Sequence, residues 1–369
     1  MSLPDGGAGL VYVAAVGGVT PVGRDAWSSA AAVRAGISAF ARHPYMIDTA
    51  GEPMQVAMSP WLDIATEGEE RFEALLFPAI EQALRPVEDA ADPTIRVALA
   101  LGLPAARPGL PRDLERGLRS RIASQFPERF SAFATFEIGH AAGFVAMHAA
   151  LLELAGGGSD TCVVAGVDSY LAAESLEWLE ENDQLHGAGA LNNAWGFVPG
   201  EGAGAVLLAI ERAVDRLGIA PLARILSVGR GIEKHRINTE TVCLGEGLTA
   251  AFREALAGLP PGAKVTDIFC DLNGEPYRAD EFAFASLRTG DAFESASDFV
   301  APAACWGDVA AASAPLAVTL AAIALTKAYA RGSYAFTWAS SEGGERGAAL
   351  LEVPDGGRHD LLSDLGDPW

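Results

Sequence analysis

The sequence predicts an α/β protein whose sheet is covered on both faces and whose α/β unit occurs twice. Three observations lead there. Strand-like apolar runs alternate with helical periods along the chain. The strand runs are almost continuously apolar, as strands buried on both faces are. The order of elements in the first half also returns in the second, the mark of internal duplication.

Taken in order, "LVYVAAVGGVTPVG" (10–23) reads as a buried strand ending in a glycine turn, and "EERFEALLFPAIEQALRPV" (69–87) as an amphipathic helix. "IRVALALGLP" is a second strand, "LPRDLERGLRSRIASQF" a helical stretch rich in arginine, and "FSAFATFEIG" a third strand. "HAAGFVAMHAALLELAGG" follows as a helix, then "TCVVAGVDSYL" and "GAGAVLLAIERA" as strands. The second half answers with "ARILSVGRG" (strand), "GLTAAFREALAGL" (helix), "VTDIFCDLNG" (strand), "GDVAAASAPLAVTLAAIALTKAYA" (helix), "SYAFTWASS" and "ERGAALLEV" (strands). Gly139–His140 thus opens one long apolar helix and Gly307–Asp308 another. The halves divide as 1–215 and 216–369, packed as one body because no Gly/Ser or Pro-rich linker separates them.

Composition narrows the function classes. With 26 basic against 48 acidic residues the net charge is −22, which speaks against nucleic acid or an anionic membrane as partner. It also disfavours docking to a strongly acidic carrier protein unless a local basic patch exists. Cys162, Cys243, Cys270 and Cys305 are too dispersed for a zinc site or a disulfide framework, and a reducing, cytoplasmic setting fits. The N-terminus has no basic region ahead of a long apolar run, so no signal peptide is expected. The run "VAAASAPLAVTLAAIAL" (309–325) approaches membrane-spanning length, but its alanines, Pro315 and Lys327 favour a buried core helix.

Several of these stretches resemble the β-ketoacyl synthase branch of the thiolase-fold superfamily. The opening "VYVAAVGGVTPVGRDAWSSAAAVRAGISAF" is similar to that family's first strand, turn and helix, and "GFVPGEGAGAVLLAIERA" (196–213) to its glycine-rich closing hairpin. "CVVAGVDSYL" and "AAGFVAMHAALLEL" stand at the expected distances. The resemblance implies a five-layer α-β-α-β-α sandwich of two pseudo-symmetric halves. It also implies a nucleophilic cysteine at a helix N-terminus, where the dipole favours a thiolate and an N–H serves an oxyanion hole.

At each catalytic position of that pattern the residue differs. His140 in "HAAG" stands in the cysteine's place, and Asn273 in "DLNGEPYRADE" in that of the first histidine, with Glu275 and Tyr277 for the threonines. In "ACWGDVAAASA" Asp308 replaces the second histidine and Ala303 the preceding lysine. "SSEGGERG" resembles the Gly-Phe-Gly-Gly loop, with Glu342 for the gating phenylalanine ahead of Gly343 and Gly344. Claisen condensation needs a thiolate and donors for an enolate; a carboxylate at 308 repels one, so condensation is not expected.

Two readings stay open. In the first the chain is a non-condensing homologue, a scaffold or chain-length-factor-like partner in fatty acid or polyketide-type metabolism. The family implies a homodimer, through the region holding "FSAFATFEIG", or a heterodimer with a synthase-like partner. In the second, a His140–Asp308 dyad acts as base and orienter on an acyl-CoA or acyl-carrier-protein thioester, as acyltransferase or hydrolase. A helix N-terminus lowers the pKa of His140, whereas an ionised Asp308 raises it. An open path to His140 favours the enzyme, and bulky residues filling it favour the scaffold. Glu275 and Glu342 add carboxylates, but no His-x-x-x-His spacing supports a metal, and no cofactor is expected. Elsewhere, Trp306 reads as core packing near the pocket, His148 as a core or interface histidine, and His43, His186, His235 and His359 as solvated loop residues. Glu201 reads as structural, the glycines near 202 as turn and packing residues, and 174–184 as a solvated helix face.

Overall fold

The computed structural model describes residues 10–236, 239 and 241–354. The strands are β1 (Val11–Val19), β2 (Phe40–Ile47), β3 (Pro53–Ala57), β4 (Val97–Leu103), β5 (Phe130–Glu137), β6 (Thr161–Ser169), β7 (Glu201–Ile210), β8 (Ala223–Ile232), β9 (Asp267–Cys270), β10 (Tyr334–Ser340) and β11 (Glu345–Glu352). Nine of them form a hydrogen-bonded sheet in the order β5-β4-β6-β7-β1-β8-β11-β10-β9, and β2 pairs with β3 in a separate hairpin. From β1 outward the pairings are antiparallel to β7, antiparallel to β6 and parallel to β4. From β8 outward they are antiparallel to β11, antiparallel to β10 and parallel to β9, the same pattern. The halves join where Val11, Tyr12 and Val13 pair with Ile225, Arg224 and Ala223. β5 has only a vestigial counterpart: residues 293 and 300 bridge singly to Val265 and Phe269 beside β9.

The layers follow from where the apolar helix faces can go. α2 (Gly68–Ala90) lies on the outer face of β1, β7 and β6, with α3 (Leu114–Gln125) beside it. α7 (Glu246–Leu256) covers β8 and β11, with α8 (Pro276–Thr289) beside it. α4 (Ala142–Ala155) and α10 (Ser313–Thr326) touch each other and strands of both halves, and so form the central layer. Every residue of α10 from Ala314 to Leu325 is buried, as an all-round apolar helix must be. The result is a five-layer α-β-α-β-α sandwich.

Close contact between the first strand of each half and its outer helix requires glycine. A Cβ on Gly17 would lie 1.9 Å from the Ala79 carbonyl oxygen, and one on Gly229 2.0 Å from that of Ala251. The two half-folds use the same device.

Several expectations need correction. "GAGAVLLAIERA" is β7 followed by α6 (Glu211–Leu217), which starts after an extended Ile210 and stops at the left-handed Gly218. The second apolar helix starts at Ser313, after a short α9 (Ala303–Trp306) and a 3-10 turn at Ala310–Ala312. Gly307 (φ 74°) and Ala310 (φ 36°) interrupt a helical path there, and Asp308 sits in a single β-bridge to Pro199. The hairpin β2–β3 was illegible because its outward-facing residues, Tyr45 and Ile47 among them, break the polar alternation expected of an exposed strand. His43 on β2 is buried rather than solvated, its Nδ1 accepting from the Tyr45 and Met46 amides at 3.2 and 2.9 Å. In 174–184 the helix α5 (Ala173–Glu181) is solvated on one face and buries Ser175, Leu176 and Leu179 on the other. His359 lies outside the described residues.

Candidate functional site

Three turns deliver the site. After β5, Gly139 (φ 76°) donates its N–H to the Leu103 carbonyl at 3.1 Å and turns the chain so that His140 precedes α4 by one residue before its N-cap, Ala141. After β9 the chain carries Asp271 and Asn273 to Glu275, the N-cap of α8, and Pro276 and Arg278 lie in its first turn. After α9, Asp308 is held by its backbone: its N–H donates to Val198 O at 2.8 Å, and Gly200 N–H donates to Asp308 O at 2.8 Å.

The side chains meet in the interior. His140 Nε2 lies 2.8 Å from Asp308 Oδ1 and 2.9 Å from Oδ2. Asn273 Nδ2 donates to Asp308 Oδ2 at 2.6 Å and to Glu275 Oε2 at 2.9 Å, and the Ala310 N–H donates to Asp308 Oδ1 at 2.7 Å. Arg278 sits at the centre with no exposure: Nε donates to Glu275 at 3.0 Å, Nη1 to Asp271 at 2.9 Å and to the Ser340 carbonyl at 2.6 Å, and Nη2 lies 3.3 Å from His140 Nε2. Gln184 Nε2 donates to both Glu275 Oε1 (3.1 Å) and Glu342 Oε1 (2.8 Å), which ties the half-buried Glu342 to the cluster. Buried carboxylates are tolerable here because each meets a cation or an N–H donor.

Charge sets the protonation. Burial is the largest influence on His140 and opposes a charged imidazole, as does Arg278, but the charge and hydrogen bond of Asp308 together with the charge of Asp271 raise its pKa. Burial likewise opposes ionisation of Asp308, yet the His140 charge and hydrogen bond, with Arg278, hold its carboxyl well below the usual range. At Asp271 burial wins over Arg278 and raises the pKa, in keeping with an Oδ1 that has no hydrogen-bond partner among the described residues. Of the two influences on His140 weighed from sequence, the carboxylate is present, and it is opposed by burial and Arg278. Both shifts favour the charged pair, and the contact commits Nε2–H to the Asp308 carboxylate, so Nε2 is not free to take a proton from a substrate.

A second buried charged group lies near this pair. Arg107 Nη2 donates to the Ser169 carbonyl at 2.7 Å and its guanidinium pairs with buried Asp168, whose Oδ2 accepts from the Ala311 N–H at 3.3 Å. The buried Tyr170 ring lies 4.1 Å from the same guanidinium. The Ala141 N–H at the start of α4 is taken by Ser341 Oγ at 2.8 Å. A surface cleft of about 450 Å³ is lined by Asn273, Gly274 and Glu275 on one side and Phe40, Gly196 and Phe299 on the other. His140 (4% exposed) and Asp308 (3%) are not part of its lining.

Of the remaining candidates, Gly343 and Gly344 form the tight turn between β10 and β11, Gly344 (φ 113°) accepting from the Glu233 N–H at 2.7 Å. Trp306 packs into the main core. Glu201 is fully buried in a two-pronged pair with Arg71 at 2.6 and 2.9 Å. His148, His186 and His235 are half-buried. Glu233, Cys243 and Glu281 lie within 4.8 Å of one another, but Glu281 pairs with Arg346 at 2.6 Å and Glu233 accepts the Gly247 and His235 N–H groups, so these oxygens are engaged. Sequence reading missed Arg278, Gln184, Arg107 and Ser341. For Arg278 a signal existed: a cation on the α8 turn beside Phe282 and Ala285 faces inward and needs acidic company.

Comparison with known proteins agrees with this architecture. Residues 135–213 match the family description "Beta-ketoacyl synthase, N-terminal domain". No curated protein matches. Among solved structures, the ketosynthase complex with its type II polyketide synthase acyl-carrier protein, AntDE:AntF, aligns over 94% of this chain and 100% of its own at 15% identity and a TM-score of 0.76. The ishigamide ketosynthase/chain length factor aligns over 94% and 99% at 21% identity and a TM-score of 0.68. The ketosynthase of module 6 of the bacillaene synthase from Bacillus subtilis 168 aligns over 94% and 72% at 17% identity and a TM-score of 0.73. No helix among the described residues is long and apolar enough to cross a membrane. The chain therefore has the thiolase-like fold of these solved ketosynthase structures, and its residues 135–213 match the β-ketoacyl synthase N-terminal domain.

Proposed function

We propose that the protein is a non-condensing ketosynthase homologue that works as a scaffold or chain-length-factor-like partner in fatty acid or polyketide-type metabolism. One observation supports this reading: His140, which the family resemblance sets at the nucleophile's position, has its Nε2 bonded to Asp308, with Asn273 on that carboxylate and Arg278 beside the ring. Arg107 and Tyr170 are buried near this pair, which favours the scaffold over an acyl-processing enzyme. The units of the duplication are residues 1–215 and 216–369, and the protein pairs with itself or with a synthase-like partner along β5, the sheet edge. An acyl carrier or acyl-CoA thioester belongs to that partner's reaction, and the setting is the cytoplasm.

The alternative is a thioester acyltransferase or hydrolase that uses His140 and Asp308, favoured by the short contacts between them. Thiol release from acetyl-, malonyl- and longer acyl-thioesters, followed for the protein and for His140→Ala, separates the two. No release from either is expected. Turnover that His140→Ala abolishes would replace the scaffold reading with the enzyme.

A further inference from the structure

Between β2 and residues 63–72, 108–112 and 169–174 lies a cavity of about 1070 Å³, walled by Met46, Ile64, Phe72, Leu110 and Leu171 among others and separate in its lining from His140 and its partners. One wall residue is His43, 7% exposed. Its Nδ1 accepts two backbone N–H groups, which fixes the neutral tautomer with the proton on Nε2. Burial, with Arg71 nearby, lowers its pKa and keeps it neutral. Nε2–H has no acceptor among the described residues, and His43 lines a cavity that mixes apolar walls with polar ones. Arg71, also in the wall, cannot serve a ligand anion: its guanidinium is committed to Glu201 and to the Asp63 and Thr66 carbonyls. The rim carries Asp63, Glu67 and Glu174 against Arg112, which discourages a carboxylate ligand.

We propose that this cavity binds a neutral, largely apolar molecule whose carbonyl oxygen accepts from His43 Nε2–H. The test uses the neutral aryl ketone 6-propionyl-2-(dimethylamino)naphthalene, whose emission rises and shifts to the blue in an apolar site, titrated into the full-length protein. Saturable binding is expected, weakened about five- to tenfold in His43→Leu by loss of one hydrogen bond. Because His43 also holds its own hairpin, Ala173→Trp, an exposed wall position, gives a second route: its indole takes up part of the cavity and weakens binding. His140→Ala binds as the parent does, since that residue is not in the wall. Absence of saturable binding, equal binding of the anionic dye 1-anilinonaphthalene-8-sulfonate, or unchanged affinity in Ala173→Trp overturns the proposal.

Discussion

Both carboxylate oxygens of Asp308 face a single ring nitrogen of His140, at 2.8 and 2.9 Å, so the two halves of the fold are joined at their centre by an ion pair. Nε2 donates its proton to that carboxylate and so cannot also serve a substrate as base; Nδ1 is the ring's other nitrogen.

The pair makes stability depend on pH with a definite sign. The pKa of His140 is raised above its ordinary 6.5, so its contribution is complete below that pH and is lost as pH rises through the folded value. The pKa of Asp308 is depressed below its ordinary 3.8, so its contribution is complete above that pH and is lost as pH falls through the folded value. Between 3.8 and 6.5 both are complete. The stability difference between the protein and His140→Leu, from urea unfolding, shrinks on going from about pH 6 to about pH 9; a constant difference would mean that the ring is neutral throughout.

Arg278 carries more of the cluster than any other side chain. Arg278→Met leaves Asp271 and Glu275 buried without their cation and costs about 3–5 kcal/mol in urea unfolding. A loss under about 1 kcal/mol would show that the neighbouring donors alone satisfy the carboxylates.

Gly166 on β6 faces the 3-10 turn that follows Asp308, and a Cβ there would lie 2.2 Å from the Ala311 carbonyl oxygen. Gly166→Ala lowers stability by about 1–3 kcal/mol through overpacking. Calorimetry that finds it as stable as the parent would mean that the turn yields freely.

β5 ends the sheet and leaves Ser131, Ala134 and Glu137 exposed beside half-buried Phe130, Phe133 and Phe136. An edge of this kind is a template for pairing. Light scattering is expected to give a dimer, and Ala134→Arg, which sets like charges together across a paired edge, a monomer. A parent protein that is monomeric at micromolar concentration would exclude self-pairing along β5.

The architecture was legible because buried strands and an all-apolar helix leave dense signals in a chain. The convergence of His140, Asn273 and Asp308 came through resemblance, since nothing local in "HAAG" or "WGDV" says that they meet. Arg278 and Gln184 stayed hidden because a buried polar residue is explained by partners far away in sequence: Gln184 bonds Glu342 across 158 positions. His43 was misjudged for the related reason that a histidine capping its own hairpin looks, in sequence, like one facing water.

The central layer is assembled from one helix of each half, and α10 ends only at Thr326 of 369 residues. During synthesis, α4 therefore leaves the ribosome with its inward face bare and waits for most of the remaining chain before it can be covered. Translation pauses or truncations anywhere between these helices leave the same apolar surface open, and chaperone demand in the cell is concentrated in that interval.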